Sequence, residues 1–170
     1  MQSDADQPEQ PSSLPSPESV SAGNADIALD DVSAGTGRAI FVLGPSSSGK
    51  TTLCAALAAD LALPPSRYVT EVARHVMRTQ GFSRDDTATY KMQAAIMHAQ
   101  LKAEANVLKL GSEVEVGQQE VLLLSDRSAV DPVVYAATAN VTTAKETQKR
   151  LVRDQAFQAR LPLYQQSLFG

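Results

Sequence analysis

Eight consecutive residues, Gly44-Pro45-Ser46-Ser47-Ser48-Gly49-Lys50-Thr51, have the types and spacing needed to hold a polyphosphate. The glycines let the backbone curl closely around an anion, so that successive amide hydrogens point inward. If a helix opens at the end of the run, its positive end adds to the attraction. Lys50 supplies a neutralising charge, and the Thr51 hydroxyl is placed to ligate a divalent cation that bridges the outer phosphates. Ser46, Ser47 and Ser48 contribute chiefly a lack of bulk. The run matches the G-x-x-x-x-G-K-[ST] pattern of a P-loop in full. The expected ligand is ATP, with GTP possible, together with Mg²⁺, and the expected contacts are Gly44, Ser46, Ser47, Ser48, Gly49, Lys50, Thr51 and Thr52.

Two further groups of residues carry chemistry. Val121-Leu122-Leu123-Leu124-Ser125 is an apolar run ending in Asp126, a carboxylate placed to hold Mg²⁺ directly or through water, with Thr51 as the other ligand. Arg127 follows at once, suited to pairing with a phosphate or substrate oxyanion or, alternatively, with a neighbouring acid. Glu71 and Arg74 form the other group. Glu71 leaves the end of a short β-type segment and is able to take a proton from a substrate hydroxyl or bind a sugar hydroxyl. The alternative is an intrahelical pair at i,i+3, worth a few tenths of a kcal/mol. His75 and His98 lack neighbours suggestive of a metal cluster. Cys54, the single cysteine, reads as a packing residue in a helix, and so do Tyr90, Met92 and Met97.

These residues need elements to bring them together. Ala39–Leu43 is a continuous apolar run of the kind found in strands buried on both faces. A helix is expected over Thr51–Ala62, with Leu53, Leu57 and Leu61 on its inward face, until Pro64-Pro65 stops it. Arg67–Thr70 reads as a second strand, and Val72–Gln80 as a helix closed by Gly81. Asp85-Asp86 is expected to cap a long helix running from Ser83–Asp86 to Leu110. A polar loop follows over 112–120, then a strand over Val121–Ser125, a helix from Pro132 to about Asn140, and one helix over Lys145–Arg160. Strands alternating with helices imply an α/β, three-layer P-loop nucleotide-binding fold with a parallel sheet and a ligand at the carboxyl ends of its strands.

Composition narrows the class. Hydrophobic residues make up 43% of the 170 and the formal net charge is -4, as in an ordinary globular chain. Residues 1–37 hold seven acids and no base, which leaves twelve acids against fifteen bases in the remainder. That excess is too small for a nucleic-acid surface. The 1–37 segment, rich in Ser and Pro, is expected to be a disordered acidic tail able to bind a protein partner, and 38–170 the nucleotide-binding domain. No apolar run approaches the roughly 18 residues of a membrane span, nor is there a secretory leader, so a cytoplasmic setting is expected.

With these motifs in view, the chain resembles the small AAA-type P-loop ATPase and kinase family that includes the nicotinamide riboside kinase domain of bacterial NadR. The resemblance rests on the phosphate loop continued by Thr52-Leu53, on Thr70-Glu71-Val72-Ala73-Arg74, on Met92-Gln93 and Gln100, and on Ser125-Asp126-Arg127-Ser128 with Asp131. It implies a nucleoside-kinase-like phosphotransferase. Glu71 would be the catalytic base and Arg127 would steady the phosphates beside Lys50. Glu71, Arg74, Gln93 and Arg127 would line the site of a small nucleoside-like acceptor. The family usually places an aromatic before the position of Gln93, where this chain has Met92. Relative to the family, the chain is also expected to be truncated, without the arginine-bearing lid and the last strands. Two other classes stay open: a nucleotide-binding regulatory or interaction module, and an inactive fragment.

Overall fold

The computed structural model describes residues 38–112 and 121–169. The expected tail over 1–37, with its disorder and partner-binding role, lies outside the described residues, as does the expected polar loop beyond Ser112. Among the described residues four strands, β1 (Arg38–Val42), β2 (Tyr68–Val69), β3 (Val121–Asp126) and β4 (Leu168–Phe169), form one sheet in the order β2-β3-β1-β4. Every neighbouring pair is parallel. The register sets Val42 opposite Asp126 and Val69 opposite Ser125. Three strands therefore end level, which brings the sequence motifs that follow them to one rim.

Strand alternation assigns each side chain to a layer. Ala39, Phe41, Val69 and Leu123 face the larger core, which is completed by α3 (Tyr90–Ser112), α4 (Asp131–Thr138), α5 (Ala144–Val152) and α6 (Gln155–Gln166), with Val72 of α2 (Val72–Gln80) packed against it. At its centre the Phe41 and Tyr164 rings meet edge to face with centroids 5.1 Å apart. Val42 and Leu124 face the other way and pack on Cys54 of α1 (Lys50–Asp60), with Ile40, Leu57 and Ala58 around them. The expected three-layer α/β architecture is what the chain adopts. Burial, and then the charge of Asp126, push the Cys54 thiol up to about 11, as suits a packing residue.

Three local expectations are corrected. On α1 the inward residue is Cys54, whereas Leu53 is 56% and Leu61 37% exposed. The strand end fixes the rotation of this helix, because the phosphate loop must lead straight into it, and the leucine spacing does not. The helix expected from Ser83 onward is broken: Arg84–Ala88 is a 3₁₀ turn and Thr89 is extended. Asp86 closes a capping box with Ser83, while the Thr87 and Thr89 hydroxyls donate to the Arg84 and Asp86 carbonyls. Such local bonds compete with helix continuation. Ser83 and Asp86 thus cap the turn, Asp85 giving only its amide to Ser83 Oγ, and neither acid caps α3; the Ser83 amide holds the Asp86 carboxyl below its usual range.

The helix expected over Lys145–Arg160 is two helices. Asp154 separates them by capping α6, its Oδ1 accepting from the Phe157 amide at 3.1 Å. Its other oxygen pairs with His98 Nε2 on α3 at 2.8 Å. Asp154→Ala is expected to lower the unfolding free energy by about 1 kcal/mol, the ordinary cost of losing an N-cap. Urea denaturation followed by circular dichroism measures it, and an unchanged midpoint would show that the cap is dispensable.

Candidate functional site

The connection from β1 through α1 leads toward β2, and the one from β3 through α4–α6 leads to β4 on the far side of β1. Adjacent strands whose connections diverge leave a crevice at their carboxyl ends. A cavity of about 710 Å³ lies there, within the range of small-ligand sites. It is lined by Ser46–Thr52, Glu71, Arg74, Gln93, Asp126 and Arg127. Gly44 does not line it, but enters the loop at φ 142°, beside Ser48 and Lys50.

The phosphate-loop end is built from backbone. Gly49 stands at φ 86° immediately before α1, a left-handed geometry that a side chain adopts only with strain. Lys50 is 8% exposed, and its ammonium curls back to donate to the Pro45 carbonyl and, at 3.1 Å, to Ser48 Oγ. One residue on, Thr51 Oγ1 donates to Asp126 Oδ2 at 2.5 Å. The other carboxylate oxygen, Oδ1, is buried with no hydrogen-bond partner among the described residues. A half-satisfied carboxylate beside a hydroxyl is a hard-oxygen donor set, and a small divalent cation fits it.

The Asp-Arg-Ser segment is held on several sides. The Arg127 amide donates to the Val42 carbonyl at 3.1 Å, tying the end of β3 to the end of β1. Its guanidinium donates to Asp131 Oδ1 at 3.0 Å and faces the Tyr135 ring. Asp131 also accepts from the Ser128 amide at 2.9 Å. Burial pushes the Asp131 carboxyl up against the pull of that amide and of Arg127.

Glu71 and Arg74 come together as the spacing allows, Nη1 donating to both Glu71 oxygens at 2.9 and 2.8 Å. The Arg74 side chain is 81% exposed, so this pair adds little stability. Gln93 is buried, and its Nε2 donates to the Thr87 carbonyl at 2.6 Å, fastening the 3₁₀ turn over the cavity. Ser47, Glu71 and Arg127 hold positive φ of 63°, 59° and 96°. All three border the cavity, and backbone strain of this kind concentrates at ligand sites.

The profile of the AAA domain family matches residues 39–166. The chain belongs to that family. Membership in this AAA domain family implies a nucleotide ligand, in agreement with the loop geometry. No curated protein and no solved structure matches the chain.

Several cavity residues had no signal in the sequence. Met77, Arg84, Thr87, Ile96 and Tyr135 all line it, from three separate elements and a turn. Nothing in their spacing joins them. Met92, read as a packing residue, is buried and also borders the cavity; Met97 is fully buried in the core. Among the described residues, no helix is long and apolar enough to cross a membrane.

Proposed function

We propose that this AAA domain protein binds ATP with Mg²⁺ and transfers its γ-phosphoryl group to a small hydroxyl-bearing, nucleoside-like acceptor. The observation that carries the reading is one cavity with two chemically different ends. One end holds the phosphate loop, Lys50, Thr51 and Asp126. The other has apolar walls from Val72, Met77, Met92 and Ile96, with Glu71, Gln93 and Arg84 as its polar groups. In this reading the second end receives the acceptor.

In this reading Lys50 leaves its two loop acceptors for the phosphate oxygens, and Thr51 and Asp126 would hold Mg²⁺. When bound, the cation neutralises charge on the outer phosphates. The Glu71 carboxylate releases Arg74 and takes the proton of the acceptor hydroxyl. The acceptor oxygen forms its bond to the γ-phosphorus, and the bond to the β–γ bridging oxygen breaks. Arg127, turning from Asp131, steadies the transferred group, while Gln93 orients the acceptor through its carbonyl oxygen. Positioning and charge neutralisation carry most of such a reaction. A cytoplasmic setting belongs to the same reading.

The test is Mg²⁺-dependent ADP release measured with and without a panel of nucleosides, nicotinamide riboside among them. Stimulation by an acceptor supports transfer. Tight binding with no stimulation by any acceptor would replace the proposal with a regulatory or interaction module. Asp126→Asn, which keeps the shape and removes the charge, is expected to raise the Mg²⁺ concentration needed for half-maximal nucleotide binding by about tenfold or more. A Mg²⁺ titration of a fluorescent nucleotide reads this, and an unchanged midpoint would remove Asp126 from the metal site.

A further inference from the structure

Beneath the phosphate site lies a buried carboxylate that none of the chemistry above uses. Glu104 on α3 is fully buried, with no lysine, arginine or histidine paired to it among the described residues. Its partners are neutral. Oε1 accepts from Gln100 Nε2 at 3.0 Å, and Oε2 accepts from the Tyr164 hydroxyl at 2.7 Å. Both partners reach on to the segment that follows β3. Gln100 Nε2 also lies 2.9 Å from Ser125 Oγ and donates to the Arg127 carbonyl at 3.3 Å. The Tyr164 hydroxyl accepts from the Ala129 amide at 3.3 Å. A single buried acid therefore stands behind Ser125, Arg127 and Ala129.

We propose that Glu104 is a positioning residue for the phosphate site, holding Ser125–Ala129 through Gln100 and Tyr164 so that Asp126 and Arg127 keep their places in the cavity. The proposal rests on the nucleotide-binding reading and not on acceptor phosphorylation. An apolar residue would fill the same space, but it would remove the one buried carboxylate that the Gln100 amide and the Tyr164 hydroxyl share, and with it the link between the two. The segment being held needs the support. Arg127 stands at φ 96°, and such a conformation persists only where its surroundings over-determine it.

The bonding pattern also favours one protonation state. The Gln100 and Tyr164 bonds are both donated to Glu104, so a proton on the carboxyl would displace one of them: on Oε2 it would meet the Tyr164 hydroxyl, which would have to turn its own hydrogen away. Burial pushes this carboxyl up to about 7 against the pull of Tyr164, Gln100 and the more distant Arg160. Tyr164 and Arg160, both on α6, are the titratable and charged groups that face it. Two consequences of opposite sign follow. A folded-state value above the unfolded one makes the fold more stable as pH falls through 7 toward the ordinary glutamate range, since the native state then binds the extra proton. The same proton removes an acceptor from the network, so nucleotide affinity falls over the same interval.

The experiment compares the full chain with its Glu104→Gln and Tyr164→Phe variants between pH 6 and 8.5. MgATP affinity, the melting temperature and hydrogen exchange of the 125–131 segment are measured for each. Glu104→Gln is expected to melt no lower than the wild type, bind MgATP roughly tenfold more weakly at pH 8 and lose the wild type's pH dependence of affinity. Exchange at 125–131 should rise while that of α1 does not. Tyr164→Phe should act in the same direction, and the double variant should bind no more weakly than the weaker single one. Wild-type affinity and exchange in Glu104→Gln would overturn the proposal. Should that variant fail to fold, Tyr164→Phe and the wild-type pH profile decide by the same criteria. If the wild type binds no MgATP, the nucleotide reading fails, and the exchange data still show whether Glu104 holds the segment.

Discussion

Lys50→Ala is expected to weaken nucleotide binding roughly 100-fold, because truncating one partner of a desolvated charge pair costs about 2–5 kcal/mol and each 1.4 kcal/mol is tenfold. The structure explains why the loss should fall on binding and not on folding. Among the described residues the ammonium bonds only to the Pro45 carbonyl and the Ser48 hydroxyl, and both residues are exposed. Water replaces those bonds once the side chain is gone. A polyphosphate exchanges two neutral acceptors for anionic oxygens, and charge-assisted bonds are about twice as strong. Lys50→Arg should not restore affinity, since the loop closes around a compact ammonium and a planar guanidinium is larger. Titration with a fluorescent nucleotide, with a melting curve as control, checks both variants. An affinity equal to the wild type's would sink the phosphate-cradle reading.

Glu71→Gln is expected to lower acceptor-stimulated turnover by about 100-fold or more, the contribution of a positioned general base. Nucleotide affinity should stay within roughly a factor of two, because the amide keeps the carboxylate's shape and removes only its charge and basicity. Two different duties are available to Glu71. As the partner of Arg74 alone, its loss would cost a few tenths of a kcal/mol of stability and no rate. As the base, its loss would reduce the rate and leave the melting curve alone. Its backbone favours the second, since a residue needed only for an exposed ion pair has no reason to sit at φ 59°. Single-turnover measurement of phosphoryl transfer separates the two. Arg74→Ala is the companion variant: it breaks the same pair but should not lower the turnover as Glu71→Gln does.

How much of this was legible in the sequence depended on the range of the interaction. The phosphate loop was readable because each of its determinants is local. A strand must deliver the chain, glycines must turn it, and the helix must begin where Lys50 and Thr51 stand. The pairing of Thr51 with Asp126 across 75 positions was inferable only because Asp126 closes its own apolar run at the same rim. Spacing alone failed wherever two local tendencies competed. The Thr87 and Thr89 hydroxyls ended a turn that the capping signal by itself would extend into a helix, and Asp154 divided one amphipathic stretch into α5 and α6. Leu53 and Leu61 looked like an inward face, yet the rotation of α1 was set by the loop before it.

The eight residues from Gly44 to Thr51 by themselves determined that this protein has a P-loop, the form of a phosphate cradle, since turn, helix start and charge are contiguous along the chain. Only the tertiary structure decided what the cradle faces and what supports it. Met77, Arg84, Ile96 and Tyr135 meet Glu71 and Gln93 in one cavity because the sheet brings β1, β2 and β3 to a common rim. Glu104 and Tyr164, 60 positions apart, meet beneath Arg127 because α3 and α6 pack on the same face of the sheet. A buried acid on an amphipathic helix is indistinguishable in sequence from a solvated one. Its role depends on which donors the packed helices deliver to it, and that is a property of the assembled core.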